Sequence, residues 1–279
     1  MKNAKLLVAL APFLLTACGG GGGSSGGNAS STSEANVTVE SPAPDSSSQQ
    51  QREMEAAITS FTTQAQSAAG TTSGDDLTGV WLEASGNIWS ETGTADGESV
   101  EGSYVDTIAH VHFVKDNGTS IDVSDCSSSL RLYTFHFSGD QQLVWDNFPG
   151  DNKPVGIVQN NRVIEFGSTD YTHSKTSVSG SSDSSGHFSS RWVKLSSDIG
   201  SSIGTLSGYG TAKAISCANI LTREGERNGE DAHFYSATFR DTAGEWIFSD
   251  SNTGNESPTR DGIQFSMSYD GAPVKFTLK

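Results

Sequence analysis

The sequence predicts an all-β domain, an antiparallel β-barrel or a large β-sandwich, preceded by a disordered Gly/Ser-rich tether and one short helix. Three observations carry this expectation. From Leu77 onward, short runs of β-branched, aromatic and aliphatic residues alternate with polar ones, the period-2 pattern of half-buried antiparallel strands. Clusters of Gly, Asn, Asp and Ser interrupt these runs at short intervals, as tight turns require. No strand–helix alternation is present, so a parallel α/β sheet is not expected.

The elements follow in chain order. Met1 to Lys5 is a short cationic start, Leu6 to Leu15 is apolar apart from an interrupting Pro12, and small residues and a cysteine come next. This is the pattern of a secretory signal over residues 1–17. The apolar run is too short to span a bilayer, which takes ~20 residues, and no later segment approaches that length. The junction Leu15-Thr16-Ala17-Cys18 resembles the lipobox of bacterial lipoproteins. The resemblance implies cleavage before Cys18, a lipidated Cys18 thiol and an acylated amino group, with palmitate among the chains. Several acyl chains, each contributing about 0.8 kcal/mol per buried methylene, anchor stably where one does not. Gly19, standing where such proteins carry aspartate for inner-membrane retention, implies the outer membrane. Periplasmic and surface orientations both stay open.

Residues 18–51 are rich in Gly, Ser, Thr, Ala, Pro and Gln, a solvated tether. About 30 residues of such coil reach about 30 Å. The Gly-rich stretch after Cys18 also resembles the anchors of surface-displayed lipoproteins. Residues 52–70 read as a short helix. Glu53 to Ala57 are good helix formers, Met54, Ile58 and Phe61 form a thin apolar stripe, and Gly70 is a stop. A stalk, or a helix resting loosely on the domain, is expected.

Residues 71–279 form the β-domain. Strands are expected near Gly79–Ala84, Ser103–Lys115, Ser129–Ser138, Gln141–Asn147, Val155–Val158, Arg162–Gly167, Tyr171–Val178, His187–Leu195, Gly204–Cys217, Ala232–Arg240, Glu245–Ser249, Gly262–Tyr269 and Val274–Leu278. Three hairpins are clearest, turning at Gly139-Asp140, at Asp241 to Gly244 and at Asp270-Gly271. Leu77-Thr78-Gly79-Val80-Trp81 is similar to the Gly-x-Trp opening of lipocalins and related calycin barrels, and Thr169-Asp170-Tyr171 to their second signature. Arg191 maps loosely to the third, and the stretch after Tyr171 is longer than those barrels use. The resemblance implies a closed barrel with Trp81 plugging one end, and a cavity for a small apolar ligand.

The chain of 279 residues carries a net charge of −16. Such a field repels nucleic acid and favours solubility. With Cys18 lipidated, Cys126 and Cys217 remain, and a leftover pair in an oxidising compartment forms a disulfide. His110 and His112 share one face of a strand, and His136 lies in a neighbouring strand. No acidic ligand is fixed by spacing, so no metal is assigned, and these three histidines are the candidates for one. Gly200-Ser201-Ser202-Ile203-Gly204 fits Gly-x-Ser-x-Gly, but the segment after it reads as strand rather than the helix of a nucleophile elbow. Trp81/Glu83 and Trp89/Glu91 place aromatic and carboxylate groups on shared strand faces, a pairing used on polysaccharides. Asp116-Asn117-Gly118 and Ser249 to Asp261 are expected as turn-rich loops. Ser177 to Gly186 and Thr222 to Asp231 are expected as polar, mobile ones. No catalytic constellation or cofactor motif emerges. The leading expectation is a membrane-anchored, non-catalytic β-rich domain that binds an unknown envelope or extracellular ligand. The alternatives are a calycin-like carrier of a small apolar ligand and a polysaccharide-acting hydrolase.

Overall fold

The computed structural model describes residues 46–70, 76–126, 128–139, 141–145, 154–177, 180–208, 210, 212–241, 243–244, 246–248, 258–269 and 271–279. The expected leader, Cys18, the tether as far as residue 45 and most of the 249–261 loop lie outside the described residues.

Among the described residues one helix, α1 (Ser46–Ala69), precedes fifteen strands. They are β1 (Gly79–Ala95), β2 (Glu98–Asp116), β3 (Ser120–Asp125), β4 (Ser128–Ser138), β5 (Gln142–Trp145), β6 (Pro154–Gln159), β7 (Val163–Ser177) and β8 (Gly180–Ser196), followed by β9 (Gly204–Ser207), β10 (Lys213–Arg227), β11 (Glu230–Asp241), β12 (Trp246–Phe248), β13 (Thr259–Asp261), β14 (Gln264–Tyr269) and β15 (Ala272–Leu278). Strands β1 to β8 each pair antiparallel with the next, and β1 pairs with β8, closing an eight-stranded meander barrel. Closure removes the free edges that an open sheet would expose.

Four of these strands outrun the ring. β1 and β2 pair without interruption from Gly79↔Val114 to Ala95↔Glu98, turning at Asp96-Gly97. Both turn residues have positive φ, 51° and 86°, the backbone a two-residue hairpin of matching twist demands. β7 and β8 likewise pair from Val163↔Val193 to Ser177↔Gly180. The intervening strands are short. β3 pairs with β2 only over His112–Asp116, and β6 with β7 only over Val163–Glu165. Past the ring, the long strands continue as an open sheet.

The edge of β2 is therefore divided. Beyond β3, its residues His110 to Gly102 pair with β10 instead. β10 then leads to β11 on one side and to β9, β15, β14 and β13 on the other. Val111 falls between the two partners, and its N–H donates to Asn219 Oδ1 at 3.2 Å. Cys126 directly follows β3 and bonds Cys217 of β10. The expected disulfide thus staples the point where the two partner strands diverge.

Period-2 alternation sorts the side chains into two cores. Trp81, Val114, Ile121, Val123, Phe135, Leu143, Ile164 and Trp192 face into the ring. Tyr133, Trp145 and Phe166 pack against them, with ring centroids 4.9 to 6.5 Å apart across the cluster. Trp81 is fully buried and donates its Nε1–H to Leu77 O at 2.8 Å. Lys194, its partner in register, is buried as well and donates from Nζ to Asp76 O at 2.9 Å. The alternate residues Val80, Leu82, Ala84, Val111 and Val193 face outward, onto a second core with Phe239, Phe265 and Phe276.

The helix completes that second core. Ile58, Phe61, Thr62 and Ala65 are buried, and Phe61 meets Phe265 edge-on at 5.8 Å. Arg260 lies over the Phe61 ring at 4.4 Å. The Met54 thioether fills the space where a Cβ on Gly86 would stand. This corrects the expectation of a stalk: α1 is a core element of the same compact unit as the strands. It also starts at Ser46 rather than residue 52. Glutamine is a good helix former, and Gln49 bonds Glu53 one turn on.

Three further expectations are corrected. The first strand runs to Ala95 rather than Ala84. Where a loop from Ser177 to Gly186 is expected, Ser177 ends β7 and Gly180 to Gly186 belong to β8. Thr222 to Asp231 is mostly β10 and β11, joined by a turn at Asn228-Gly229. These Ser-, Gly- and Glu-rich stretches lack strand propensity, but long neighbours pair with them, and such context outweighs propensity.

The disulfide closes a span of 91 residues. In the chain-entropy account this contributes roughly 4.5 kcal/mol. Cys217→Ser should lower the denaturant midpoint relative to the disulfide-bonded protein, and reductant should do the same to wild type but leave the variant unmoved.

Candidate functional site

The inward face of β1 carries Trp81, Glu83, Ser85, Asn87, Trp89 and Glu91 in sequence. Register places His112 opposite Trp81 and His110 opposite Glu83 on β2. Trp192 of β8 stands on the other side of Glu83, and Asp125 of β3 opposite His112. These residues meet where β2 exchanges β3 for β10, at the mouth where the closed ring opens into the sheet.

Glu83 is the hub. Its Oε2 lies 2.6 Å from His112 Nε2, and its Oε1 accepts from Ser85 Oγ at 2.8 Å and Ser190 Oγ at 3.4 Å. The His112 ring stacks on Trp192, centroids 4.2 Å apart and 12° from parallel. His110 lies edge-on to His112 at 6.3 Å, and Tyr133 flanks His112 at 6.3 Å. Donor atoms of Glu83, His110 and His112 all fall within 4.8 Å of one another. His112 is 3% exposed and the Glu83 side chain 14%. His112 Nδ1 and Trp192 Nε1 are buried without a hydrogen-bond partner among the described residues.

Electrostatics fix the charge of this cluster. Burial pushes the Glu83 carboxyl up, but the hydrogen bond and positive potential of His112, with help from His110 and Ser85, prevail and hold it at about 2. Burial pushes His110 below the usual histidine range, against the pull of Glu83 and Asp125. Burial, with Glu83 and Asp125, pushes the Tyr133 phenol well up. At neutral pH the mouth therefore holds the Glu83 carboxylate with a neutral His110 imidazole and a neutral Tyr133 phenol.

A second polar layer continues this face along the open sheet. Asp106 is fully buried and receives Arg223 through Nε at 2.7 Å and Nη2 at 3.0 Å, and Trp89 Nε1 at 3.0 Å. The guanidinium lies over Trp89 at 4.7 Å and Tyr104 at 5.6 Å. The Tyr104 hydroxyl donates to Glu91 at 2.9 Å, and burial together with that carboxylate pushes the phenol up to about 12. Tyr171 meets the Asn87 carboxamide at 2.9 Å. Gly102 lies beneath the Tyr104 ring, where any Cβ would collide with it. The result is a ribbon of flat-lying rings interleaved with paired charges.

The histidine candidates separate. His110 and His112 face the barrel interior, not solvent. His136 is exposed, on the side of β4 away from Tyr133 and Phe135, and takes no part. Glu83 is the ligand-type residue that spacing alone missed. Its shared face with Trp81 was legible, but its register with His110 was not. Ser202 precedes β9 and donates to Gly204 O at 2.9 Å, so no elbow forms. Arg191 lies on the outside, bonding Glu165 at 2.7 Å and Thr62 of α1 at 2.8 Å, with Lys194 beside Trp81 instead. Asp170 is exposed and binds His187 Nδ1 at 2.7 Å. A groove of about 320 Å³ runs under α1, lined by Met54, Ile58, Ile88, Val105 and Arg260, outside the ring.

Neither a protein-family model nor a curated protein matches the chain. A solved structure described as "a putative AttH" from Nitrosomonas europaea aligns at 8% identity over 70% of this chain and 92% of that one. Its TM-score is 0.16, too low to carry an argument.

Two outcomes follow from the site's electrostatics. Arg223→Ala leaves the Asp106 carboxylate buried and uncompensated, and should cost about 3–5 kcal/mol in chemical denaturation. Glu83 has a depressed folded pKa, so its stabilisation is present above the ordinary glutamate range and is lost as pH falls toward about 2. Acid titration by circular dichroism should show that loss in wild type and a flatter profile in Glu83→Gln.

Proposed function

We propose that this chain is a lipid-anchored outer-membrane lipoprotein whose β-domain binds a target at the cell envelope without transforming it. The observation that carries the binding reading is the state of the site's carboxylates. Glu83 is held ionised by His112, Asp106 is neutralised by Arg223, and Glu91 accepts from Tyr104. A glycoside hydrolase needs one carboxyl raised enough to donate a proton near neutral pH. Charges locked in pairs suit recognition instead. The ribbon of Trp89, Tyr104, Tyr171 and Arg223 offers rings and hydrogen-bonding groups to such a target. The anchor rests on Leu15-Thr16-Ala17-Cys18, and the Cys126–Cys217 disulfide agrees with an oxidising compartment. Among the described residues no helix is long and apolar enough to cross a membrane.

The closed eight-stranded meander with buried Trp81 supports a second reading, the carrier of a small apolar ligand. The aromatic packing of the ring weighs against it.

Fractionation separates these claims. Wild type should pellet with outer membranes and give an acylated N-terminal peptide by mass spectrometry, whereas Cys18→Ser should be soluble and unmodified. An unmodified wild-type Cys18 would falsify the anchor. A naphthalene-type fluorescent probe should show no saturable uptake by the barrel; stoichiometric uptake, lost on Trp192→Ala, would favour the carrier.

A further inference from the structure

The mouth of the barrel holds a donor set that binding along the sheet face does not use. Glu83, His110 and His112 present one carboxylate and two imidazoles within 4.8 Å. They come from two adjacent strands paired through 17 consecutive residues, from Gly79↔Val114 to Ala95↔Glu98, so the spacing of the three is rigidly fixed. Trp192 clamps the His112 ring from one side, and Ser85 and Ser190 hold the far oxygen of Glu83. Such support around the donors is what keeps ligands oriented for a metal. Two further features mark the place as polar. His112 Nδ1 and Trp192 Nε1 are buried without a hydrogen-bond partner among the described residues, and buried polar atoms normally have one. Asp125 also faces inward from β3, opposite His112, adding negative potential.

We propose that Glu83, His110 and His112 form a binding site for a divalent transition-metal ion, with zinc the first choice. Imidazole donors favour zinc and its first-row neighbours over calcium or magnesium, which take oxygen ligands. Three protein donors leave one tetrahedral position for water or an incoming group. The donors share the inward face of β1 and β2 with the ribbon of Trp89 and Tyr104, so the ion would lie on the same face as the proposed binding surface. Entry of the ion replaces the hydrogen bond between Glu83 Oε2 and His112 Nε2 with two coordinate bonds, and any proton held there leaves to solvent. His136 has no part in the site.

The test uses the untagged full chain, stripped with chelator. Calorimetric titration with zinc should give one ion per chain with micromolar or tighter affinity, and cobalt should give the visible absorption of a tetrahedral nitrogen–oxygen site. His110→Asn and Glu83→Gln should each weaken zinc at least tenfold, while His136→Asn should leave affinity within twofold. Zinc should raise the melting temperature of wild type and not of His110→Asn. If Glu83→Gln fails to fold, His110→Asn decides alone, since among the described residues the carboxylate of Glu83 bonds His112, Ser85 and Ser190 rather than His110. Absence of stoichiometric binding, or equal affinity in His110→Asn and wild type, overturns the proposal. These outcomes do not depend on whether Cys18 is acylated.

Discussion

One constraint organises the molecule: a single edge of β2 is shared between two partner strands, β3 and β10. A strand has one row of hydrogen-bonding groups on each side, and the β1 side of β2 is fully used. On the other side β10 takes Gly102 to His110 and β3 takes His112 to Asp116. A backbone amide is stranded at the changeover, and the Asn219 side chain satisfies it. The disulfide ties together the two strands that part there. The barrel, the open sheet and the second core all follow from that division. The polar cluster lies at the same place, because the barrel's aromatic filling stops where the ring does.

The interior is graded in polarity along its length. At the Trp81 end the ring is closed by aromatic and aliphatic side chains, with Lys194 tied to a backbone carbonyl. At the mouth, Glu83 and two histidines replace them. Along the open sheet, Asp106 and Arg223 lie among flat rings. Each charge carries a partner, as burial requires. Polar residues that look scattered in the chain thus form one continuous surface, since every second residue of β1 faces the same way.

The helix shows how a weak local signal acquires a strong role. Its apolar stripe is only a few residues wide, which reads as a loosely held stalk. Yet Phe61 and Ala65 are almost wholly buried, because the outer face of β1 and β8 is apolar as well and must be covered. Arg191 joins the two, reaching from β8 to Thr62. Register puts Arg191 opposite Ala84 on that outer face, whereas Lys194 is opposite Trp81.

Local chemistry was legible in the chain by itself. Alternation named the inward faces, including Trp81 with Glu83 and His110 with His112. The turn residues marked the hairpins at Gly139, Gly244 and Gly271, and the cysteine count paired Cys126 with Cys217. These depend on neighbours in sequence, or on having only one partner left. What tertiary structure decided was register and strand length. Ser- and Gly-rich segments such as residues 180–186 became strand because long partners imposed pairing on them. The union of Glu83 with His110 and His112 depended on which residue of β1 faces which of β2, a quantity fixed by a turn well along the strands at Asp96-Gly97. A shift of one residue there would send every inward side chain outward, and the sequence pattern alone does not specify which pairing wins.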